Sequence, residues 1–180
     1  MCCNPQPHEP EDCEPRVFVI GDKIVYPGHG VAVLERVEVP RDVPEVGKCY
    51  FLRLANGCPL MVPVPNAERL RLRSLSTRAE IEELFQLLRQ KPLERLMYGK
   101  GRYEEALAMM RSGSLTDAAE VFKSLHPPLR RRGLLENDKR LYDRSRQFLI
   151  VEVAAVKNIS EKEAEKQICD CIQQALVSAA

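Results

Sequence analysis

The hydrophobic periodicity of this 180-residue chain changes at Ser76, and that change constrains its fold more than any other feature of the sequence. Before Ser76, apolar residues alternate with polar ones, as over residues 31–39, which is the period of half-buried strands. After Ser76, apolar residues recur at helical spacing, beginning over residues 81–88. The chain is therefore predicted to be α+β, with a β module over residues 16–75 and an all-helical module over residues 76–180.

Five short strands are predicted in the β module, separated by the segments PGHG, RDVPEVG, NG and PN. Asn56–Gly57 is typical of a hairpin turn, because both central positions of a type I′ turn need positive φ. Strands this short are expected to close into a small, bent antiparallel barrel. Pro63 has no N–H to give to a ladder, so its strand is predicted to lie at an edge. Arg69, Arg71 and Arg73 are predicted to share a solvated strand face.

The helical module is predicted to contain about five helices, each marked by apolar spacing and by residues typical of helix ends. The first predicted helix follows a capping box at Thr77 and Glu80, and the second runs roughly from Leu93 to Arg111. The third follows Ser114 and stops at Pro127–Pro128, and the fourth covers about 135–157. The last follows a capping box at Ser160 and Glu163. No predicted helix is long and polar enough to be a linker, so the two modules are expected to touch.

The net charge and the composition exclude few classes of protein. The chain has 27 Lys and Arg against 26 Asp and Glu, so the net charge alone indicates no partner. No apolar stretch approaches the roughly 18 residues of a membrane helix, and the N-terminus lacks the basic and apolar regions of a signal peptide. A cytoplasmic location without membrane contact is therefore expected, with the seven Cys as reduced thiols.

Residues 1–15 contain four acids, four Pro and no Lys or Arg, and they are predicted to be a disordered tail. The alternative is a zinc site formed by Cys2, Cys3, His8 and Cys13, but adjacent Cys2 and Cys3 lack the spacer that lets both thiolates reach one ion. We therefore predict no metal and no cofactor. One hypothesis is that the acidic tail competes with phosphate for basic groups, so that its deletion tightens DNA binding at low salt.

Little in the sequence indicates an enzyme. His8, His29 and His126 are isolated and have no metal-protease spacing. The glycine pairs of residues 28–30 and 99–101 begin a phosphate-loop pattern that neither completes, so turn glycines are the favoured interpretation. Neither a GxSxG motif nor a P-loop is present. The chain is predicted not to be an enzyme.

Basic residues are concentrated in residues 130–146, which contain seven Lys or Arg against three acids. The seven are Arg130, Arg131, Arg132, Lys139, Arg140, Arg144 and Arg146. Such a cluster can neutralise several phosphates at once, which indicates contact with nucleic acid. The alternative is a solvated helix face with internal ion pairs, such as Asp143 with Arg146.

Several motifs resemble one family in order and spacing. They are FVIGDKIVYPGHGVAVLERVE at 18–38, then YFLRLANG, MVPVPNAERLRLR, SGSLTDAAEVFKSL and RRRGLLENDKRLYDRSRQFLIVEVA. Over residues 17–178 the chain is similar to the CarD/CdnL family of bacterial RNA polymerase-binding transcription regulators. Its β module also resembles the polymerase-interaction domain of the transcription-repair coupling factor.

The resemblance implies a Tudor-like β domain that holds the β subunit of RNA polymerase by pairing an exposed strand with it. By matching position, that edge lies around Met61, Val62 and Pro63, with Arg41 and Arg53 flanking it. Met61 stands where some members of the family carry Arg. The edge predicted from Pro63 alone falls in the same place.

The resemblance also implies that the helical domain contacts promoter DNA near the upstream edge of the bubble and stabilises the open complex. The DNA-facing positions expected from the match and from the basic cluster are Tyr98, Arg102, Arg130, Arg131, Arg132, Lys139, Arg140 and Arg144. The chain departs from the family where a Trp wedge is typical, because Gly99 occupies that position and Glu104 occupies a Lys position. Tyr98 is the candidate to replace the wedge.

Two hypotheses follow. In the first, a monomer binds the polymerase β subunit through residues 16–74 and contacts promoter DNA weakly, through phosphates and without reading sequence, so that it is associated with the nucleoid. In the second, the chain binds polymerase but uses its helical domain to bind another regulatory protein. A continuous basic surface favours the first hypothesis, and an exposed apolar patch favours the second.

Overall fold

The computed structural model describes residues 18–27, 29–93, 96, 100–126 and 134–177. In its N-terminal part, five antiparallel strands form one sheet in the order β4-β3-β2-β1-β5. The strands are β1 (Lys23–Tyr26), β2 (Gly30–Glu38), β3 (Cys49–Leu54), β4 (Pro59–Pro63) and β5 (Arg73–Ser74), and short 3-10 helices span Pro44–Val46 and Val64–Asn66.

The hairpin predicted at Asn56–Gly57 is confirmed, since these residues join β3 to β4, but its turn is not type I′, because Gly57 has a positive φ and Asn56 does not. Gly57 has a φ of +82°, and the side-chain oxygen of Asn56 accepts a 3.0 Å hydrogen bond from Cys58 N. One face of the sheet forms its own apolar core, which includes Ile24, Leu34 and Leu52. The turn therefore sets the register that places the alternating apolar residues on one face.

The sheet does not close into a barrel among the described residues, so that prediction is wrong. Strand β5 has two residues and pairs only with β1. A 3-10 helix and a turn occupy 64–71, and Arg71 has a φ of +54°, which interrupts an extended strand. The strand predicted at Arg69, Arg71 and Arg73 is wrong for the first two residues, and only Arg73 lies in a strand, as the first residue of β5.

Five helices are assigned in the rest of the described chain: α1 (Arg78–Leu88), α2 (Arg102–Ser112), α3 (Leu115–Leu125), α4 (Glu136–Lys157) and α5 (Glu161–Val177). The first predicted capping box is confirmed, because Glu80 N donates to Thr77 Oγ1 (3.2 Å) and Thr77 N donates to Glu80 Oε2 (2.6 Å). Ser114 and Ser160 likewise accept backbone hydrogen bonds at the starts of α3 and α5.

The second helix predicted from Leu93 to Arg111 is not continuous, although Leu96, before the break, is helical. Helix α2 begins at Arg102, because Gly101 immediately before it has a φ of +79°, a left-handed conformation that a continuous helix cannot include. The other four predicted helix positions agree with the structure to within a few residues.

The sheet and the helices share one core, as the expected contact between the modules requires. Val25 and Val31 of the sheet are buried in the same cluster as Phe122 and Leu149 of the helices. Strand β2 lies against α4. The sheet therefore buries one face in its own core and part of the other against the helices, and its edge at β4 stays on the outside.

Candidate functional site

The first candidate surface is the edge of the sheet at β4. Among the described residues, no strand pairs with β4 on the side away from β3, which confirms the predicted edge. Val64 N donates to the carbonyl of Lys48 at 3.0 Å, which fixes the phase of the ladder. Because the direction of backbone groups alternates along an antiparallel pair, those of Pro59, Met61 and Pro63 point away from β3. The only outward N–H within β4 is therefore that of Met61.

The side chains of β4 alternate as the ladder requires. Met61 has 44% of its surface exposed, whereas Val62 has 3% exposed and lies in the core of the sheet. Pro63 is half-buried. A partner at this edge would therefore meet the backbone of β4 and the Met61 side chain, while Val62 supports the strand from the core.

Arg53 lies on β3 opposite Pro59. Its guanidinium donates to both carboxylate oxygens of Glu35, at 3.0 Å from Nη2 and also from Nε, and to the carbonyl of Gly57 at 3.1 Å. The hydrogen bonds from Arg53 lower the pKa of the Glu35 carboxyl below its usual value. Arg41, in the loop between β2 and β3, is exposed and has no ion pair or hydrogen bond to another described residue. Of the two flanking cations, Arg41 is thus the more available to a partner.

The second candidate surface is the exposed face of the first half of α4, which we call the basic helix face and define as Lys139, Arg140 and Arg144. All three side chains are exposed. Arg140 Nε lies 3.4 Å from an oxygen of Glu136 one turn earlier, in a pair whose side chains are more than 70% exposed. Lys139 and Arg144 have no ion pair with a described residue. The helix thus presents exposed cations that an anion can reach, and salt weakens that attraction.

Arg102, which the sequence suggests as a DNA contact, is engaged within the protein. Its two terminal nitrogens donate to both oxygens of Asp138, at 2.9 and 2.6 Å. The Asp138 side chain is 3% exposed and that of Arg102 is 18% exposed. The hydrogen bond to Asp138 raises the pKa of Arg102. The pair connects the start of α2 to the first turn of α4, directly beside Lys139.

The remaining predicted DNA contacts, Tyr98 and Arg130–Arg132, lie outside the described residues, as does Gly99. Glu104 is described and exposed on the first turn of α2. Arg146, whose predicted partner is Asp143, instead forms an ion pair with Glu165 of α5. The basic helix face is therefore smaller than the basic cluster in the sequence.

Two half-buried rings meet between the end of α3 and α4. His126 Nδ1 is 3.2 Å from the hydroxyl of Tyr142, and the Tyr142 ring stacks on Phe122 at 5.0 Å between centroids. Burial lowers the pKa of His126 and raises the pKa of Tyr142 to about 12. Both groups are therefore neutral at pH 7, which suits their partly apolar surroundings.

Sequence reasoning missed an ion pair between the β and helical parts. Arg73 was expected on a solvated face, yet it forms a bidentate pair with Glu152 of α4. The Glu152 side chain is 1% exposed. The two residues are 79 positions apart, and no local pattern indicates such a contact.

The described residues include no cluster of His, Cys, Asp and Glu suited to hold a metal ion. The zinc alternative at Cys2, Cys3, His8 and Cys13 lies outside them. Within the same part of the chain, no helix combines the length and the apolar composition needed to span a membrane.

An open strand edge and an exposed basic helix lie on one shared core, and each of the two parts of the fold matches a known family model. The model of the CarD-like/TRCF RID domain matches residues 18–76. The model of the CarD C-terminal domain matches residues 83–169. The two matches follow each other along the chain and correspond to the sheet and the helices.

A relative agrees with this assignment. The chain is 26% identical over 148 residues to a Bacillus subtilis (strain 168) protein named "Putative transcription factor YdeB", covering 82% of this chain and 97% of that protein. The chain belongs to the CarD-like family of transcription regulators. Membership of this family points to a transcription factor rather than to an enzyme.

Proposed function

We propose that this regulator binds the β subunit of RNA polymerase through the edge of β4 and promoter DNA through the basic helix face, and that it thereby modulates the stability of the open complex. The division into a polymerase-binding domain at residues 16–75 and a DNA-facing domain at residues 76–180 is part of this proposal. The boundaries of the two family matches support the division.

The open edge of β4 is the observation that carries the proposal. A strand added to this edge would supply one carbonyl to the N–H of Met61 and N–H groups to the carbonyls of Pro59, Met61 and Pro63. The two prolines leave the edge with a single donor, which restricts indiscriminate pairing with other strands. The edge therefore favours one particular partner strand, aligned on Met61.

The DNA contact is proposed to be electrostatic. Lys139, Arg140 and Arg144 are exposed on the first half of α4, together with the acids Glu136 and Asp143, and exposed Lys and Arg side chains bind phosphates without reading bases. The proposed affinity is therefore weak, strongly dependent on salt and independent of sequence.

A substitution at Met61 tests the polymerase contact. Met61→Pro removes the outward N–H, and no β3–β4 hydrogen bond is lost because that N–H points away from β3. We expect its affinity for purified RNA polymerase to fall about tenfold or more, since one hydrogen bond is lost and the ring obstructs the added strand. Met61→Leu keeps the N–H and serves as the control, with an expected change below about threefold. Equal affinities for the two variants would contradict strand addition at β4.

The second candidate function is a protein-binding surface on the helices in place of DNA contact. Leu135, at the start of α4, is 69% exposed, and Arg102, a predicted DNA contact, is paired with Asp138. Replacing Leu135 by Ser would weaken such a protein complex. Titration of the native chain with a promoter fragment distinguishes the two functions, because salt-dependent binding favours DNA contact and an absence of binding favours a protein partner.

A further inference from the structure

The sheet and the helices are joined by a buried ion pair that the proposed binding surfaces do not use. Arg73 Nη1 and Nη2 donate to the two oxygens of Glu152 at 2.7 and 2.8 Å. Ser76 adds two further hydrogen bonds to the Glu152 carboxylate, from its backbone N (3.2 Å) and its hydroxyl (2.6 Å). Four hydrogen bonds thus satisfy a carboxylate that is almost completely buried.

Arg73 also binds the helices at a second point. Its Nε donates to the carbonyl of Gly113 at 2.9 Å, at the end of α2. Gly113 itself lies against the β1–β2 turn, since a Cβ at this position would be 2.5 Å from Pro27 Cγ. One guanidinium therefore connects β5 to both α2 and α4. We call Arg73, Ser76, Gly113 and Glu152 the junction.

The junction connects the parts of the fold that carry the two proposed binding surfaces. Its Arg73 lies on β5, at the opposite edge of the sheet from β4. Its Glu152 lies in the C-terminal half of α4, whose N-terminal half carries the basic helix face. A rigid sheet and a rigid helix joined at this point keep the two surfaces in one relative orientation.

We propose that Arg73 and Glu152 are positioning residues that couple polymerase binding to DNA binding. This inference rests on the proposed function. Two sites on one molecule reinforce each other only when their geometry permits simultaneous engagement. The junction adds a directional contact to the shared core of sheet and helices, so polymerase bound at β4 presents the basic helix face to promoter DNA with little freedom of rotation.

The measurable quantity is a coupling factor: the dissociation constant of the full chain for RNA polymerase divided by that for the polymerase–promoter complex. Glu152→Gln breaks the charge pair, Arg73→Lys keeps the charge without the bidentate contact, and the double change Arg73→Met with Glu152→Leu fills the space without charge. We expect a coupling factor of about tenfold or more in the native chain. In the variants it should fall, because only the shared core then holds the sheet against the helices, with affinities for polymerase alone and for DNA alone changed less than about twofold.

Glu165→Gln is the matched control, because Glu165 pairs with Arg146 between α4 and α5 and does not connect the helices to the sheet. Its coupling factor should equal that of the native chain. Circular dichroism of each variant identifies any that unfolds. The double variant is the most informative if the single variants unfold, since it leaves no unpaired buried charge.

Each outcome decides the proposal. An unchanged coupling factor in folded variants, or a native coupling factor of one, would overturn the positioning role alone. Unfolding of all three variants would also overturn it, because the junction would then hold the fold itself rather than the orientation of two folded parts. A native chain that binds neither polymerase nor DNA would overturn the proposed function together with the inference.

Discussion

The edge of β4 and the basic helix face present different chemistry to a partner. At the edge, the groups available are backbone N–H and C=O, and their direction follows from the phase of the ladder rather than from side-chain identity. On the helix, the groups available are three long cations with the exposed acids Glu136 and Asp143 among them, and their backbone is used within α4. Directional hydrogen bonds select one partner strand, whereas flexible cations bind any phosphate backbone. In the proposed function, the edge of β4 therefore recognises one partner strand, and the basic helix face makes a non-specific electrostatic contact with DNA.

The largest expected effect concerns what fixes the basic helix face. Asp138→Ala leaves the Arg102 guanidinium without its buried partner, and we expect the free energy of unfolding to fall by about 2–3 kcal/mol. Urea unfolding monitored by circular dichroism measures this change. A loss below about 0.5 kcal/mol would mean that the Arg102–Asp138 pair does not anchor the first turn of α4.

Removing cations from the basic helix face should weaken DNA binding by about tenfold at moderate salt. The double change Lys139→Gln with Arg144→Gln removes two phosphate contacts, and the slope of log affinity against log salt should fall by about two. Fluorescence anisotropy with a promoter fragment measures both quantities. Polymerase affinity should stay constant in the same variant, and a parallel loss of polymerase affinity would break the distinction between the two surfaces.

Acid should destabilise the fold through His126, which packs against Tyr142 of α4. Burial lowers the pKa of His126 below its ordinary value of 6.5. His126 of the unfolded chain therefore binds a proton near pH 6.5, whereas His126 of the folded chain stays neutral until a lower pH. Stability is therefore expected to fall as the pH drops through 6.5 towards the lower pKa of the folded state. Thermal unfolding between pH 7.5 and pH 5.5 tests this.

Two matched variants distinguish the effect of His126 on the pH dependence of stability from that of His29. His126→Gln should flatten the pH dependence of the melting temperature, because a neutral side chain then faces Tyr142 and Phe122 at every pH. His29 is exposed, and His29→Gln should leave the dependence unchanged. The account of His126 would be wrong if the His29 variant flattened the curve and the His126 variant did not.

The smallest expected effect is at Glu136. Its pair with Arg140 is exposed and 3.4 Å long, so Glu136→Gln should change the free energy of unfolding by less than about 0.5 kcal/mol. DNA affinity should rise by about twofold, because one acid is removed from the basic helix face. The same anisotropy titration detects this rise, and a fall in affinity would contradict the proposed orientation of α4 towards DNA.

Local signals in the sequence predict most of the fold. The change of period at Ser76, the Asn56–Gly57 turn and the Thr77–Glu80 capping box each act within a few residues, and each is confirmed. The edge at Pro63 was predictable for the same reason, since a missing N–H is a property of one residue. Left-handed conformations explain the errors at Arg71 and Gly101, because neighbouring residues allowed a continuous strand or helix.

The candidate site was less predictable. The sequence identifies cations but cannot indicate which ones are paired within the fold. Arg102 is paired with Asp138, 36 positions away in the sequence, and Arg73 is paired with Glu152, 79 positions away. Only the tertiary structure distinguishes these engaged guanidiniums from the exposed Lys139 and Arg144.

The most direct test of two chemically distinct surfaces is one crossed binding measurement. The native chain, Met61→Pro, and the double variant Lys139→Gln with Arg144→Gln are each titrated against RNA polymerase alone and against promoter DNA alone, in the same buffer. The account predicts that Met61→Pro loses affinity only for polymerase and that the double variant loses affinity only for DNA. Loss of both affinities in either folded variant, or of neither in both, would contradict it.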